Sequence, residues 1–344
     1  MSTLRQSVSI TLALLFSIYG CSSNPEEKKS VHLERGNRYF EAGQYSEAVI
    51  EYKNVVQADP ADATGHYKLA LAYLKLGGIE NLQQGFSELT KTVEFNPDLH
   101  EAQIRLGELY LLSGDAKTAR EKAELVLARE PNNAESTLLL GKSLAVRKEI
   151  DRAIETLNKA VELAPRRTET YIDLAVVYAI KGDAPAADRT LRRAIEADPR
   201  SIPVHLALGD FSLTQGKIAD AEAEYKQAVA IDPPNAALRE KLARFYLAGR
   251  RLPEAEAVYA ELVRLKPQDE NALVSLGTFY AITDRYEQAV AAFQKADTLP
   301  GASLLPKKKL AALQLSAGKL DDAKKTIHAL FEKTDRDPDA IFLL

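Results

Sequence analysis

One feature limits what this chain can fold into more than any other: it repeats itself every thirty-four residues. Prolines fall at Pro60, Pro97, Pro131, Pro165, Pro199, Pro233 and Pro267, with a first interval of 37 and every later one of 34. Ala119, Ala153, Ala187, Ala221, Ala255, Ala289 and Ala323 form a second comb at the same spacing, and Ala48 and Gly85 occupy that slot upstream. A third comb is Leu106, Leu140, Leu174, Leu208, Leu242, Leu276 and Leu310, each followed by Gly or Ala. Self-similarity at this period means stacked supersecondary units, each too small to bury an apolar face alone.

Leu106-Gly107-Glu108-Leu109-Tyr110 and Leu276-Gly277-Thr278-Phe279-Tyr280 resemble the first half of the tetratricopeptide (TPR) pattern, W-x2-L-G-x2-Y. Ala221-Glu222-Ala223-Glu224-Tyr225 and Ala289-Val290-Ala291-Ala292-Phe293 resemble its second half, A-x3-F. Nine repeats begin near Lys29, Ala63, His100, Ala134, Thr168, Ile202, Ala236, Glu270 and Leu304. The resemblance implies an all-α fold, a right-handed superhelical solenoid of about nine helix-turn-helix repeats over residues 29–337. Helices of about a dozen residues are marginal alone in water, so the two helices of a repeat must pack on each other. The small residue after Leu and the Ala of the second comb let the backbones approach. Gly43, Gly77, Gly114, Gly182, Gly216 and Gly318 are expected in the turn between helices, where a left-handed residue caps the first. The prolines stop the second helix. The second repeat has twelve residues from Tyr73 to Gly85 where others have nine, and the three extra are expected in a loop around Gly77–Leu82.

The first twenty residues stand apart. Arg5 precedes an uncharged thirteen-residue run, Val8 to Gly20, which ends at Cys21, the only cysteine in the chain. Thirteen residues fall short of the roughly 20 that cross a bilayer, and a positive start before a short apolar run marks an export signal. Ile18-Tyr19-Gly20-Cys21 resembles the lipobox of bacterial lipoproteins, although Tyr19 is larger than the usual Ala or Ser. That resemblance implies a signal peptide over 1–20, acylation of Cys21 and a tether over 21–28. Ser22 rather than Asp after the cysteine implies the outer membrane, facing the periplasm.

The body is soluble in composition, with 46% apolar and 27% charged residues and a formal charge of −4. Acids and bases interleave and no basic block appears, so nucleic acid is not an expected partner. His32, His66 and His205 fall in the Trp slot of their repeats and are expected to be packing residues. No zinc-ligand spacing, phosphate-cradling glycine loop or nucleophile elbow is present. The expectation is therefore a non-enzyme without cofactor or metal. The resemblance implies instead a concave groove for a protein or peptide, lined by first helices. One residue beyond the small slot gives its stripe: Asn37, Leu71, Glu108, Lys142, Val176, Asp210, Arg244, Thr278 and Ala312. The carboxylate clamp of eukaryotic TPR co-chaperones is not expected, since Leu33 and Glu101 replace its lysines and only Asn37 and Arg105 match.

The layout of lipobox then repeats resembles the TPR lipoproteins of exosortase-linked, exopolysaccharide-export and pilus-assembly systems. It implies a protein–protein scaffold, anchored to the membrane by lipid, that supports assembly, secretion or export. A periplasmic chaperone that holds extended segments is the other reading. At the end of the chain, Ile341 and Leu344 fall in the Trp and Leu slots of a further repeat. Residues 338–344 are expected to be its start, either truncated or acting as a cap.

Overall fold

The computed structural model describes residues 25–331. The expected signal segment, Cys21 and the segment 338–344 lie outside the described residues. All regular structure among the described residues is α-helical. The chain divides into two compact units, Met1–Lys148 and Glu149–Leu344.

In the first unit, α1 (Pro25–Glu41) pairs with α2 (Tyr45–Ala58), α3 (Ala63–Leu76) with α4 (Ile79–Phe95), and α5 (His100–Leu112) with α6 (Ala116–Arg129); α7 (Ala134–Val146) follows. The second unit begins with α8 (Ile150–Leu163). Its pairs are α9 (Thr168–Lys181) with α10 (Ala184–Ala197), α11 (Ile202–Thr214) with α12 (Ile218–Ile231), α13 (Ala236–Ala248) with α14 (Leu252–Leu265), α15 (Glu270–Ile282) with α16 (Tyr286–Asp297), and α17 (Leu305–Ser316) with α18 (Leu320–Phe331). Each second helix also packs on the first helix of the next repeat, as α2 does on α3 and α12 on α13. This is an all-α repeat solenoid.

The combs account for the boundaries. Helices α2, α4, α6, α8, α10, α12 and α14 each end two residues before a comb proline, which supplies no N–H and cannot continue the ladder. Two residues beyond Pro60, Pro131, Pro233 and Pro267 stand Asp62, Asn133, Asn235 and Asp269, whose side chains cap α3, α7, α13 and α15 by accepting from free backbone N–H groups. The alanine comb is the core: Ala48, Ala119, Ala153, Ala187, Ala221, Ala255, Ala289 and Ala323 have no exposed surface. Where the small slot is glycine, an aromatic ring from the second helix often lies over it. A Cβ on Gly277 would sit 2.6 Å from Phe293 Cε1, and one on Gly209 2.7 Å from Tyr225 Cε1.

Two local expectations are corrected. First, the extra residues of the second repeat are not in a loop. The turn between α3 and α4 is only Gly77-Gly78, and α4 runs 17 residues against 14 for α2 and α6. The insertion is one more helical turn, which satisfies its own backbone bonds; Asn81 Nδ2 donates to Gly77 O at 2.7 Å and ties down the entry. Second, the tether read over 21–28 is cut short, because Pro25 to Lys28 already belong to α1. Proline at a helix start and Glu26 and Glu27 in the first turn favour that end of a helix. The expected turn glycines, Gly43, Gly77, Gly114, Gly182, Gly216 and Gly318, all have positive φ, and the same position at the same period is also taken by Lys148 (φ 62°), Arg250 (φ 56°) and Asp284 (φ 59°).

Candidate protein-binding faces

The expected stripe does fall on first helices. Asn37, Leu71, Glu108 and Lys142 lie on α1, α3, α5 and α7 of the first unit. Val176, Asp210, Arg244 and Thr278 lie on α9, α11, α13 and α15 of the second, and Ala312 lies on α17. First helices of neighbouring repeats touch within each unit, as α5 does α7 and α9 does α11, so each unit presents a face built from several of them.

Most polar members of the stripe are occupied by the fold itself. Asn37 Oδ1 accepts from the Tyr52 hydroxyl at 2.9 Å. Its counterpart Asp210 accepts from Tyr225 OH at 2.5 Å and faces Lys241 Nζ at 2.6 Å, a bond that ties α11 to α13. Burial and then the Asp210 carboxylate push the Tyr225 phenol well above the usual range. Glu108 pairs with Arg105 at 2.8 Å, and the other end of Arg105 comes within 3.9 Å of Glu135 on α7. Arg244 pairs with Glu240 at 2.5 Å one turn back, and Thr278 donates to Val274 O at 2.8 Å. Leu71 and Lys142 are half-buried and Val176 is exposed.

One turn further along the same helices comes a set of positions that reading the stripe alone had missed. Leu112 is 73% exposed and Val146 56% in the first unit, and Ile180 is 63% and Ile282 62% exposed in the second. Large apolar side chains held in water at the same place on four first helices make these faces candidate docking surfaces. The signal was available, because the four positions keep the 34-residue spacing and follow the stripe at i+4. Next to Leu112, the added turn of α4 brings Ile79 and Leu82 beside Phe86 and Leu109, lining a cleft of about 310 Å³.

The Trp slot also carries more than packing. In five repeats its residue donates to the carbonyl of the proline six positions back: His66 Nε2 to Pro60 O at 3.0 Å, Gln103 Nε2 to Pro97 O at 2.9 Å, Tyr171 OH to Pro165 O at 3.0 Å, His205 Nε2 to Pro199 O at 3.0 Å and Arg239 Nε to Pro233 O at 2.7 Å. His66 and His205 are buried, as expected of packing residues, and His32 is half-buried. Their second nitrogen meets a carboxylate on the next helix, with His32 Nδ1 at 2.6 Å from Glu51, His66 Nδ1 at 2.5 Å from Glu88 and His205 Nδ1 at 2.6 Å from Glu224. These glutamates share one slot of the repeat, so histidine and partner occur together.

On the second helices of the second unit an ion-pair ladder joins successive repeats. Asp188 lies 3.8 Å from Lys217, Glu222 pairs with Arg251, and Glu256 with Arg285 at 2.5 Å. Tyr246 and Tyr280 each donate to the glutamate of their rung at 3.0 Å. Arg251, followed by Lys226, holds the Glu222 carboxyl down at about 2. Among the described residues, no three His, Cys, Asp or Glu side chains gather to hold a metal, and no helix is long and apolar enough to cross a membrane.

Comparison with known proteins agrees with this architecture. Over part of its length the chain is 29% identical to DnaJ homolog subfamily C member 3 of Bos taurus, covering 33% of this chain and 22% of that protein. It is 29% identical to the peptidyl-prolyl cis-trans isomerase FKBP4 of Homo sapiens, over 38% of this chain and 32% of that one. With the Hsp70-Hsp90 organizing protein 2 of Arabidopsis thaliana it shares 28% identity over 37% and 20%. The chain thus spans between a fifth and a third of the length of these curated relatives. Among solved structures, MamA from Desulfovibrio magneticus matches at 22% identity and TM-score 0.46, over 51% of this chain and 97% of that one. TTC0263, a thermophilic TPR protein in Thermus thermophilus, matches at 20% and TM-score 0.48, over 54% and 99%. Residues 36–77 match the TPR repeat, and residues 87–304, more than half of the chain, match a longer TPR family. The chain therefore belongs to that family, described as the cilia and flagella-associated protein 70 C-terminal domain.

Proposed function

We propose that this chain is a non-catalytic scaffold held in a bacterial cell envelope by a lipid on Cys21, where it docks other exported proteins on its first-helix faces. The observation that carries the docking role is the set of exposed apolar side chains, Leu112, Val146, Ile180 and Ile282, on faces whose charged neighbours are paired internally. Such a face covers little charge and much apolar surface when a partner arrives, which favours association. The relatives named for organising Hsp70 and Hsp90 support a role in bringing proteins together. The envelope address is supported by the Arg5 start, the Val8–Gly20 run and the single cysteine directly after it. Two acyl groups on that residue anchor stably where one does not. Ser22 points to the outer membrane.

Fractionation of cells that express Cys21→Ala tests the anchor. The variant stays folded and leaves the membrane fraction; a variant that sediments with membranes as the parent does contradicts it. The same apolar side chains also favour a chaperone-like reading, in which extended client segments lie across the face. Isolation of native complexes separates the two, since a scaffold yields one partner in fixed stoichiometry and a holdase yields many.

A further inference from the structure

Arg239 occupies the Trp slot of the seventh repeat and is only 6% exposed. Its Nε donates to Pro233 O, and its two terminal nitrogens have no partner among the described residues. A guanidinium has five donors and keeps its charge, and because these two nitrogens are not buried they stay open to solvent and to an anion. The surrounding charges do not supply one. Glu261 on α14 attracts Arg239, but both its oxygens are taken by Arg264 at 2.6 and 2.7 Å, and Arg264 repels Arg239. Asp232, in the loop ahead of α13, accepts from Asn235 at 2.8 Å. Arg264, not Arg239, holds the Glu261 carboxylate.

The chain's own repeats act as the control. Where the Trp slot holds His66 or His205, the slot nineteen residues further on in the regular repeat holds Glu88 or Glu224, and each pair is within 2.6 Å. In the seventh repeat that second slot holds Val258. The cation is present and its in-chain anion is missing.

The geometry points to an oxyanion site at this seam, where the terminal nitrogens of Arg239 take a carboxylate or phosphate group from outside the chain. The site lies in the second unit, where the start of α13 meets α14. A planar guanidinium pairs with either group through two parallel bonds. The group reaches the site either as a free anion or on an acidic side chain of a protein.

Thermal unfolding of the purified full chain at constant ionic strength tests this, with hydrogen exchange reporting on α13 and α14 because repeats unfold locally. Inorganic phosphate replaces chloride in one series and a triglutamate peptide in another. The wild type gains a saturable rise of roughly a few degrees together with slower exchange in α13 and α14. Arg239→Gln, which retains a donor for Pro233 O, loses that response. So does Val258→Glu, which restores the anion within the chain and serves if the first variant folds poorly. If the peptide acts at a concentration well below that of phosphate, the source is an acidic segment; equal potency identifies a free anion. A wild type that does not respond, or variants that respond as it does, would overturn the assignment.

Discussion

At Arg250 the backbone turns through φ 56°, a conformation that costs a side-chain-bearing residue about 1–2 kcal/mol relative to glycine. The same turn position two repeats downstream is Gly318. The turn uses only the backbone of Arg250, so Arg250→Gly is expected to stabilise the second unit by about 1 kcal/mol, read as a higher urea midpoint. Gly277 behaves in the opposite way. Alanine gains about 1 kcal/mol of helix propensity there, but its Cβ would meet the Phe293 ring at 2.6 Å. Overpacking costs about 1–3 kcal/mol and outweighs the gain, so Gly277→Ala lowers the midpoint. At this scale the sequence is only half legible. The small slot after each Leu is plain from its spacing, and so is the reason for it. Left-handed Lys148, Arg250 and Asp284 are hidden, because a turn imposed by the packing of two helices holds even residues that disfavour it. The histidine–glutamate pairs were open to view, but only after the repeats are aligned with one another.

Most element boundaries follow from proline, since a residue without an N–H stands two residues beyond the end of seven second helices, α2 to α14. The lengthened α4 did not follow, because an inserted turn and an inserted loop have the same residue count. Packing between elements makes two predictions. Ala187 is fully buried beside Ala175, Leu191 and Leu208. Ala187→Phe is expected to cost about 1–3 kcal/mol or more, with faster hydrogen exchange in α9 to α12 and none in α1 to α5. The ion-pair ladder adds a pH dependence. The Glu222 carboxyl sits at about 2 against an ordinary 4.5, so its pairing with Arg251 stabilises the fold above pH 4.5. That contribution is lost as pH falls from 4.5 towards 2. Glu222→Gln therefore flattens the acid side of the stability profile, measured as unfolding midpoints between about pH 5 and 2.5. A variant profile as steep as the parent's would show that the ladder is not coupled to folding.

For the molecule as a whole, the period alone carried the fold class, because nine copies of one pattern agree where a single copy is ambiguous. The candidate binding face was legible in part. The stripe from Asn37 to Thr278 lands on first helices as expected, but its charges are used within the fold. The apolar side chains one turn away are what stays open to a partner. Burial is a property of neighbouring helices, which position in a repeat does not show. The central claim is that proteins dock on those apolar side chains. Photo-crosslinking in living cells tests it most directly, with the reactive residue placed at Ile180 and, as a control, at exposed Ala257 on the second helix α14. The account predicts a discrete adduct from Ile180 that disappears when Val176 is changed to Glu, and none from Ala257. Equal crosslinking at both positions, or none at Ile180, would contradict it.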